Sequence, residues 1–422
     1  MTTGSIAHPP REKMAIDGAR LLDRIERFAA IGRNATGGLD RVAFGDDDLR
    51  ARAEFLREAA AAGLAGSVDA AGNILVRRPP GLARPDLPAL LVGSHLDTVV
   101  NGGRLDGAYG VLVALEILQT VVEHGVELSY EPVAVVFANE EGARFPQPFW
   151  GSRALAGHLD ELPAEPCDHD GAPLRGPLAR AGGDLDRLAT AAWPPGSVAA
   201  YLELHVEQGP VLEAGGERIG VVSDITGRTL LIAVVRGGAG HAGTTPMDLR
   251  CDPLAAACRM VLAIESLSRE QRLCRVSTVG RLDVRPNSPN TIARDVTLTI
   301  DLRDGDPARL AGAEQAARDL VASIAAERGA EAEVSVGTRS GPAHADAGLM
   351  AAIAESAAEL GHAHRTMPSG AGHDAQIISS IAPFGMIFVP SVGGVSHVPE
   401  EDTADADLIA GAEVLLHTAL RL

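Results

Sequence analysis

Aromatic residues are scarce in this chain: 3% of its 422 residues, as 2 Trp, 3 Tyr and 8 Phe. A core with so few rings has to be filled by small aliphatic side chains. No stretch approaches the ~20 uninterrupted apolar residues that a membrane-spanning helix requires. Cysteine is sparse as well. Cys167, Cys251, Cys258 and Cys274 show no C-x-x-C pairing and no framework spacing, which predicts reduced, mostly buried thiols. Any metal chemistry therefore has to come from histidine and carboxylates. Positive charge is in deficit, with 37 Lys and Arg against 56 Asp and Glu and a net charge of -19. Such a field repels nucleic acid, although a local arginine can still hold an anionic substrate. Pro9 and Pro10 stand where a secretory leader needs an apolar run, so residues 1–12 predict a cytoplasmic protein.

What is present has a clear order. Apolar residues at helical spacing predict helices over 18–31, 49–63 and 107–122. Short apolar runs at 87–93, 132–138 and 199–204 predict strands, and each ends abruptly in polar residues. Strand, helix and strand in this order predict an α/β sheet, which places its chemistry where strands end. Residues 156–197 read as a long connection with short helices. A second rhythm follows: strand 229–235, helix 253–268, strands 275–284 and 296–303, helix 307–328, strand 332–336. That β-α-β-β-α-β order is the ferredoxin-like pattern and predicts an inserted domain. Helix 348–360, strand 382–389 and helix 405–420 then resume the first rhythm. The expected fold is a mixed-sheet α/β catalytic domain of residues 1–220 and 338–422, split by an α+β insert at 221–337.

The polar residues at the strand ends are of ligand type. His95 closes one apolar run, and Asp97 two residues on can accept the proton of the other imidazole nitrogen. Asp106 lies in a glycine-rich turn before Gly107. Glu140 and Glu141 follow PVAVVFA, His205 follows the third run, and His397 lies in a later glycine-rich break. A lone His at a strand end is usually a satisfied polar residue, and Asp-Gly is usually a turn. For Glu140-Glu141 a solvated loop is the competing reading. All five breaks carrying such residues together point to a hydrolytic metal site of imidazole and carboxylate.

At these residues the chain resembles the hydantoinase/carbamoylase branch of the M20 metallopeptidase clan. The matching stretches are GSHLDTVVNGGRLDG (93–107), NEEGARFPQPFWGS (139–152), ELHVEQGPVLE (203–213) and GHAGTTPMDLRCD (240–252). They continue with RPNSPNTI (285–292), SGAGHDAQ (369–376) and MIFVPSVGGVSHVPEE (386–401). The resemblance implies two divalent metals, zinc or manganese, with cobalt or nickel as alternatives. His95, Asp106 and His205 would hold one metal, and Asp106, Glu141 and His397 the other, with Asp106 bridging. Glu140 would be the general base, and Asp97 the partner of His95. The insert would serve as lid and dimerisation domain of a homodimer. His241 would stabilise the oxyanion, while Asn290 and Arg303 would bind the substrate carboxylate. Gln208 and His373 would line the pocket.

The resemblance implies hydrolysis of a ureido or carbamoyl C–N bond in a small carboxylate. Three of the motifs, around Asp106, from Phe145 to Ser152 and at SGAGHDAQ, lean toward allantoate as substrate. An N-carbamoyl-L-amino acid is the alternative. A dipeptidase is opposed by His205, where peptidases usually place an acidic ligand, and a non-catalytic scaffold by the intact ligand set. One departure stands out: Thr229 occupies the position where allantoate enzymes carry an arginine, and Arg228 comes one position early. On a strand that shift predicts the opposite face. Arg294-Asp295 also replaces the usual Pro-Gly.

Overall fold

A computed structural model describes residues 14–422, apart from 159, 161, 162 and 164. The residues behind the leader reading, 1–12, lie outside the described part. By contacts the chain divides into two units, Met1–Ser223 with Ala345–Leu422, and Asp224–His344. The second begins and ends a few residues later than the 221–337 read from sequence, because its last long strand runs on to Ser340. In chain order the strands are β1 (Ala65–Val68), β2 (Ile74–Arg77), β3 (Ala89–His95), β4 (Glu131–Phe137) and β5 (Val198–Val206). Then come β6 (Ile219–Ile225), β7 (Gly227–Arg236), β8 (Gly240–His241), β9 (Val276–Arg285) and β10 (Thr291–Ile292). The last are β11 (Asp295–Asp304), β12 (Glu331–Ser340), β13 (Ala343–His344), β14 (His364–Ser369) and β15 (Phe384–Val389).

The first unit is built on a mixed sheet. Among the described residues its order is β1-β2-β4-β3-β5-β15-β6, with β14 also paired to β6. The centre, β4-β3-β5-β15, is parallel. These four strands are buried almost throughout, as expected of a covered parallel sheet. Helix Ala108–Glu123 packs on them and is apolar nearly all round, with Ala108 to Ile117 wholly buried. Its one buried charge, Glu116, is matched by Arg20 and Arg24, each at 2.6 Å. Leaving that carboxylate unpaired would cost several kcal/mol.

The second unit has a four-stranded antiparallel sheet of order β12-β7-β11-β9. In β11 the alternation is clean: Val296, Leu298, Ile300 and Leu302 are buried, with Thr297, Thr299, Asp301 and Arg303 on the other face. The buried face packs on helices Pro253–Arg269 and Pro307–Glu327. Both helices start at an Asp cap, Asp252 or Asp306, followed by proline in the first turn. The Asp side chain bonds the free N–H groups, and proline has none to waste.

The expectation of mostly buried thiols needs correction. All four cysteines are free, but Cys274 alone is buried, and Cys258 is exposed on a helix. No helix among the described residues is long and apolar enough to cross a membrane.

Candidate metal centre

The C-terminal ends of the four parallel strands carry the chemistry. His95 is the last residue of β3, and His205 lies one residue before the end of β5. Glu140 and Glu141 follow β4, and His397 comes in the loop after β15. Asp106 stands just before helix Ala108–Glu123, which returns the chain from β3. In a parallel sheet these ends converge on one crevice.

Asp106 is the hub. Its Oδ1 lies 3.1 Å from His205 Nε2 and 3.6 Å from His95 Nε2. Its Oδ2 lies 3.0 Å from His397 Nε2, which in turn is 3.7 Å from Glu141 Oε1. Glu140 Oε2 is 3.8 Å from His95 Nε2. Donor atoms of His95, Asp106 and His205 thus gather within 4.8 Å of one another, as do those of Asp106, Glu141 and His397. A third set, His95, Glu140 and Glu141, meets the same distance test.

Backbone contacts hold these side chains in place. The Nδ1 of His95 faces the Asp97 carbonyl oxygen at 2.8 Å, and that of His205 faces the Val206 carbonyl oxygen at 2.9 Å. An N–H donated there leaves each Nε2 as an acceptor facing the cluster, and that of His205 takes the Gly107 N–H at 3.1 Å. The Asp97 carboxylate, expected to bond the His95 ring, does something else: it accepts the N–H groups of Glu140 and Glu141, both at 3.2 Å. Two amides in succession present their donors to it, so it fixes the β4 loop rather than the imidazole. Gly107 has φ +64°, and a Cβ there would collide with the His95 ring. Glu401 accepts the N–H groups of Leu105 and Asp106, both at 3.0 Å. His397, Gln208 and Asn139 all adopt left-handed backbone, which non-glycine residues reach at some cost and which clusters at functional sites.

Burial pushes the Glu140 carboxyl well above its usual range, with Glu141, Asp374 and Asp97 adding to the effect. Burial and the Asp106 charge raise Glu141 to about 7. Asp106 is also buried, yet hydrogen bonds with His205, His397 and His95 outweigh that and hold it well below the carboxylate range. His397 is raised to about 9, mainly by its bond to Asp106. Glu141 Oε1 is buried with no hydrogen-bond partner. A crowd of buried carboxylates, an orphaned carboxylate oxygen and inward-facing imidazole nitrogens is the donor set of a divalent metal site. The residues fit the metals that the sequence implied.

The remaining expected residues divide. Gln208 lies at the centre, its Nε2 donating to Asp106 Oδ2 at 3.0 Å and to Ser396 Oγ at 3.2 Å. His373, expected to line the pocket, is only 2% exposed. Its ring packs edge-on against His205 at 4.7 Å, and its Nε2 meets Ser369 Oγ at 2.9 Å. It is placed to support His205. Within the second unit, the β8–β10 ribbon brings together His241 and Asn290, through the bond from Ala242 N–H to the Asn290 carbonyl. Arg228 and Arg303 lie opposite each other on β7 and β11, and both reach Asp301, at 2.8 and 3.0 Å. Thr229 is buried on the helix side. Arg228 therefore shares a face with Arg303, and Thr229 is the residue that points away.

Three buried carboxyls escaped the sequence reading. Glu203 accepts Ser94 Oγ–H at 2.8 Å and the Ala375 N–H at 3.1 Å, tying β5 to β3 and to the helix Asp374–Ile378. Asp374 is fully buried with neither carboxyl oxygen in a hydrogen bond, and Glu401 supports Asp106. Each sits inside a quoted motif, and a charged residue embedded in an apolar strand or next to a ligand was the available signal.

A family model described as Peptidase family M20/M25/M40 matches residues 91–421. The N-carbamoyl-L-amino acid amidohydrolase of Geobacillus stearothermophilus is 41% identical over 411 residues, 96% of this chain and 99% of that protein. The allantoate amidohydrolase of Bacillus subtilis (strain 168) is 36% identical over 420 residues, 98% of this chain and 99% of that protein. Among solved structures, a hydantoinase/carbamoylase family amidase from Burkholderia ambifaria matches with a TM-score of 0.87 at 38% identity. That match covers 97% of this chain and 98% of the other.

Proposed function

This chain belongs to peptidase family M20/M25/M40, and on that premise we propose that it is a two-metal amidohydrolase cleaving the ureido C–N bond of a small carboxylate. The observation that carries the proposal is Asp106, whose two oxygens face His95 and His205 on one side and His397 on the other. His95, Asp106 and His205 would hold one divalent ion, and Asp106, Glu141 and His397 the second. Bound there, such ions polarise the carbonyl under attack and bring a water's pKa toward neutrality.

The chain's own groups do the rest. Glu140 stands beside Glu141 with a carboxyl whose proton affinity is raised, so it can take a proton from the attacking water. Water adds to the ureido carbon, and the bond to the terminal nitrogen breaks as Glu140 returns the proton to that nitrogen. Ammonia departs, and the carbamic acid left behind loses carbon dioxide. Arg303 and Asn290 would hold the substrate carboxylate and His241 the developing oxyanion. Arg228, on the same face as Arg303, would supply the charge that Thr229 lacks. The second unit, with its β-α-β-β-α-β order, would act as ferredoxin-like lid and dimer contact.

Two substrates fit this class. Allantoate is favoured by the motifs around Asp106, Phe145–Ser152 and SGAGHDAQ. An N-carbamoyl-L-amino acid is favoured by the relative at 41% identity, against 36% for the allantoate enzyme. Purified protein, stripped and reloaded with manganese, zinc, cobalt or nickel, would be offered both, together with ureidoglycolate and dipeptides, and ammonia measured. Ammonia from a ureido carboxylate is expected; turnover of dipeptides alone, or of nothing by loaded protein, would sink the proposal.

A further inference from the structure

The parallel strands have a second end. At the starts of β3, β4 and β5, a cavity of about 640 Å³ opens among Arg77, Asp86, Pro88, Glu131, Trp193 and Pro194. The six steps along β3 from Ala89 to His95 put it roughly 20 Å from the metal centre, at ~3.3 Å per residue. The metal centre uses none of these residues.

Charge is what distinguishes the cavity. Arg78 is spent on Glu131, both groups buried, and Glu131 also accepts the Arg84 N–H at 2.9 Å. Arg84 pairs with Asp86 at 2.9 Å. Arg77 has no such partner: no carboxylate among the described residues forms an ion pair with it. Its guanidinium instead lies over the Trp193 ring, 5.2 Å from the centroid. Burial disfavours its charge, lowering its pKa, and Glu131 offsets this only in part. A half-buried guanidinium that Glu131 compensates only in part gains from a further negative group, and the two carboxylates of the lining, Glu131 and Asp86, are already engaged by Arg78 and Arg84. The bland alternative is an arginine that merely covers an indole.

We propose that this cavity is a second ligand site, which takes a small organic carboxylate with a flat apolar body. The carboxylate would meet the two-pronged face of Arg77, whose donors suit its paired oxygens. The body would lie along Trp193 and the prolines. The volume falls within the roughly 300–1,000 Å³ of small-molecule pockets. With a net charge of -19 on the chain, an anion would be held here by a local cation and not by the overall field.

Trp193 is its own reporter, since the other tryptophan, Trp150, is fully buried in the core. The metal-loaded protein would be titrated with benzoate, benzyl alcohol and inorganic phosphate while tryptophan fluorescence is followed. Saturable change with benzoate alone is expected, lost in Trp193→Phe and weakened about tenfold or more in Arg77→Gln, with ureido turnover unchanged in both. Arg77→Lys, which keeps the charge and loses the fork, should fall between. Equal response to benzyl alcohol, response to phosphate alone, or a benzoate signal intact in folded Arg77→Gln would each overturn the proposal. So would no saturable response at all. Because turnover is read separately, failure here leaves the reading of the metal centre standing.

Discussion

Glu140 and Glu141 are adjacent, yet their surroundings give them different work. Glu141 offers an orphaned oxygen to the His397 side, while Glu140 lies by His95 with its proton affinity raised by burial. Glu140→Gln should therefore lower turnover by about 10²–10⁴-fold, typical of a lost general base, while bound metal measured by elemental analysis stays unchanged. Asp97 acts at one remove. Its two oxygens take two backbone N–H groups, and asparagine offers only one acceptor. Asp97→Asn should weaken metal binding by about 10–100-fold in a chelator competition, as the loss of such supporting partners does. The candidate ligands were legible in the sequence because His95, Glu141 and His205 follow apolar runs, Asp106 and His397 stand in glycine-rich breaks, and the stretches around them match one family's motifs. What Asp97 and His373 contact was not, because one accepts backbone N–H groups and the other packs under a neighbouring ring. No spacing rule encodes either arrangement.

Elements obey the same logic one step up. Apolar runs predicted strands at 87–93 and 199–204, whereas β3 and β5 extend to His95 and Val206. Their last residues are polar but buried, so the backbone ladder continues where apolarity stops. Both helices of the second unit were legible to within a residue, and each proves to start at an Asp-Pro pair. β14 and the helix Asp374–Ile378 were missed, being short and mixed in polarity. The turn into helix Ala108–Glu123 leaves no room for a side chain at Gly107. Gly107→Ala adds a Cβ against His95 at a backbone angle that alanine resists. It should cost about 1–3 kcal/mol, read from denaturant unfolding, and reduce the metal retained after dialysis.

At the level of the whole molecule, two perturbations act on stability in known directions. Metal that binds the folded chain alone stabilises it by mass action, about 2.7 kcal/mol at a hundred times Kd. Chelation should then lower Tm by several degrees, and re-addition of the ion should restore it; an unchanged Tm would count against a metal centre. Glu413 is raised to about 7 by burial, in spite of the Ile16 N–H that it accepts. Its folded form holds a proton that the unfolded chain has released, so the stability it contributes is present below its ordinary range near 4.5 and is lost as pH rises toward 7. Glu413→Gln should melt like the parent at pH 4 and higher than it at pH 8. The division of the chain was legible as a change of rhythm, but its limits were not, since β6 and β12 both run past the points where the pattern shifts.

The position of β15 has one more consequence. It lies between β5 and β6 in the sheet, yet it is synthesised long after both, beyond the whole of the second unit. A nascent chain must therefore hold open a slot in its own centre until residues 384–389 leave the ribosome, with the edges of β5 and β6 unpaired meanwhile. Exposed edges of that kind invite pairing with other chains. Premature termination before Phe384 should thus yield insoluble protein, not a smaller enzyme, and the candidate metal centre stays incomplete until His397 has followed.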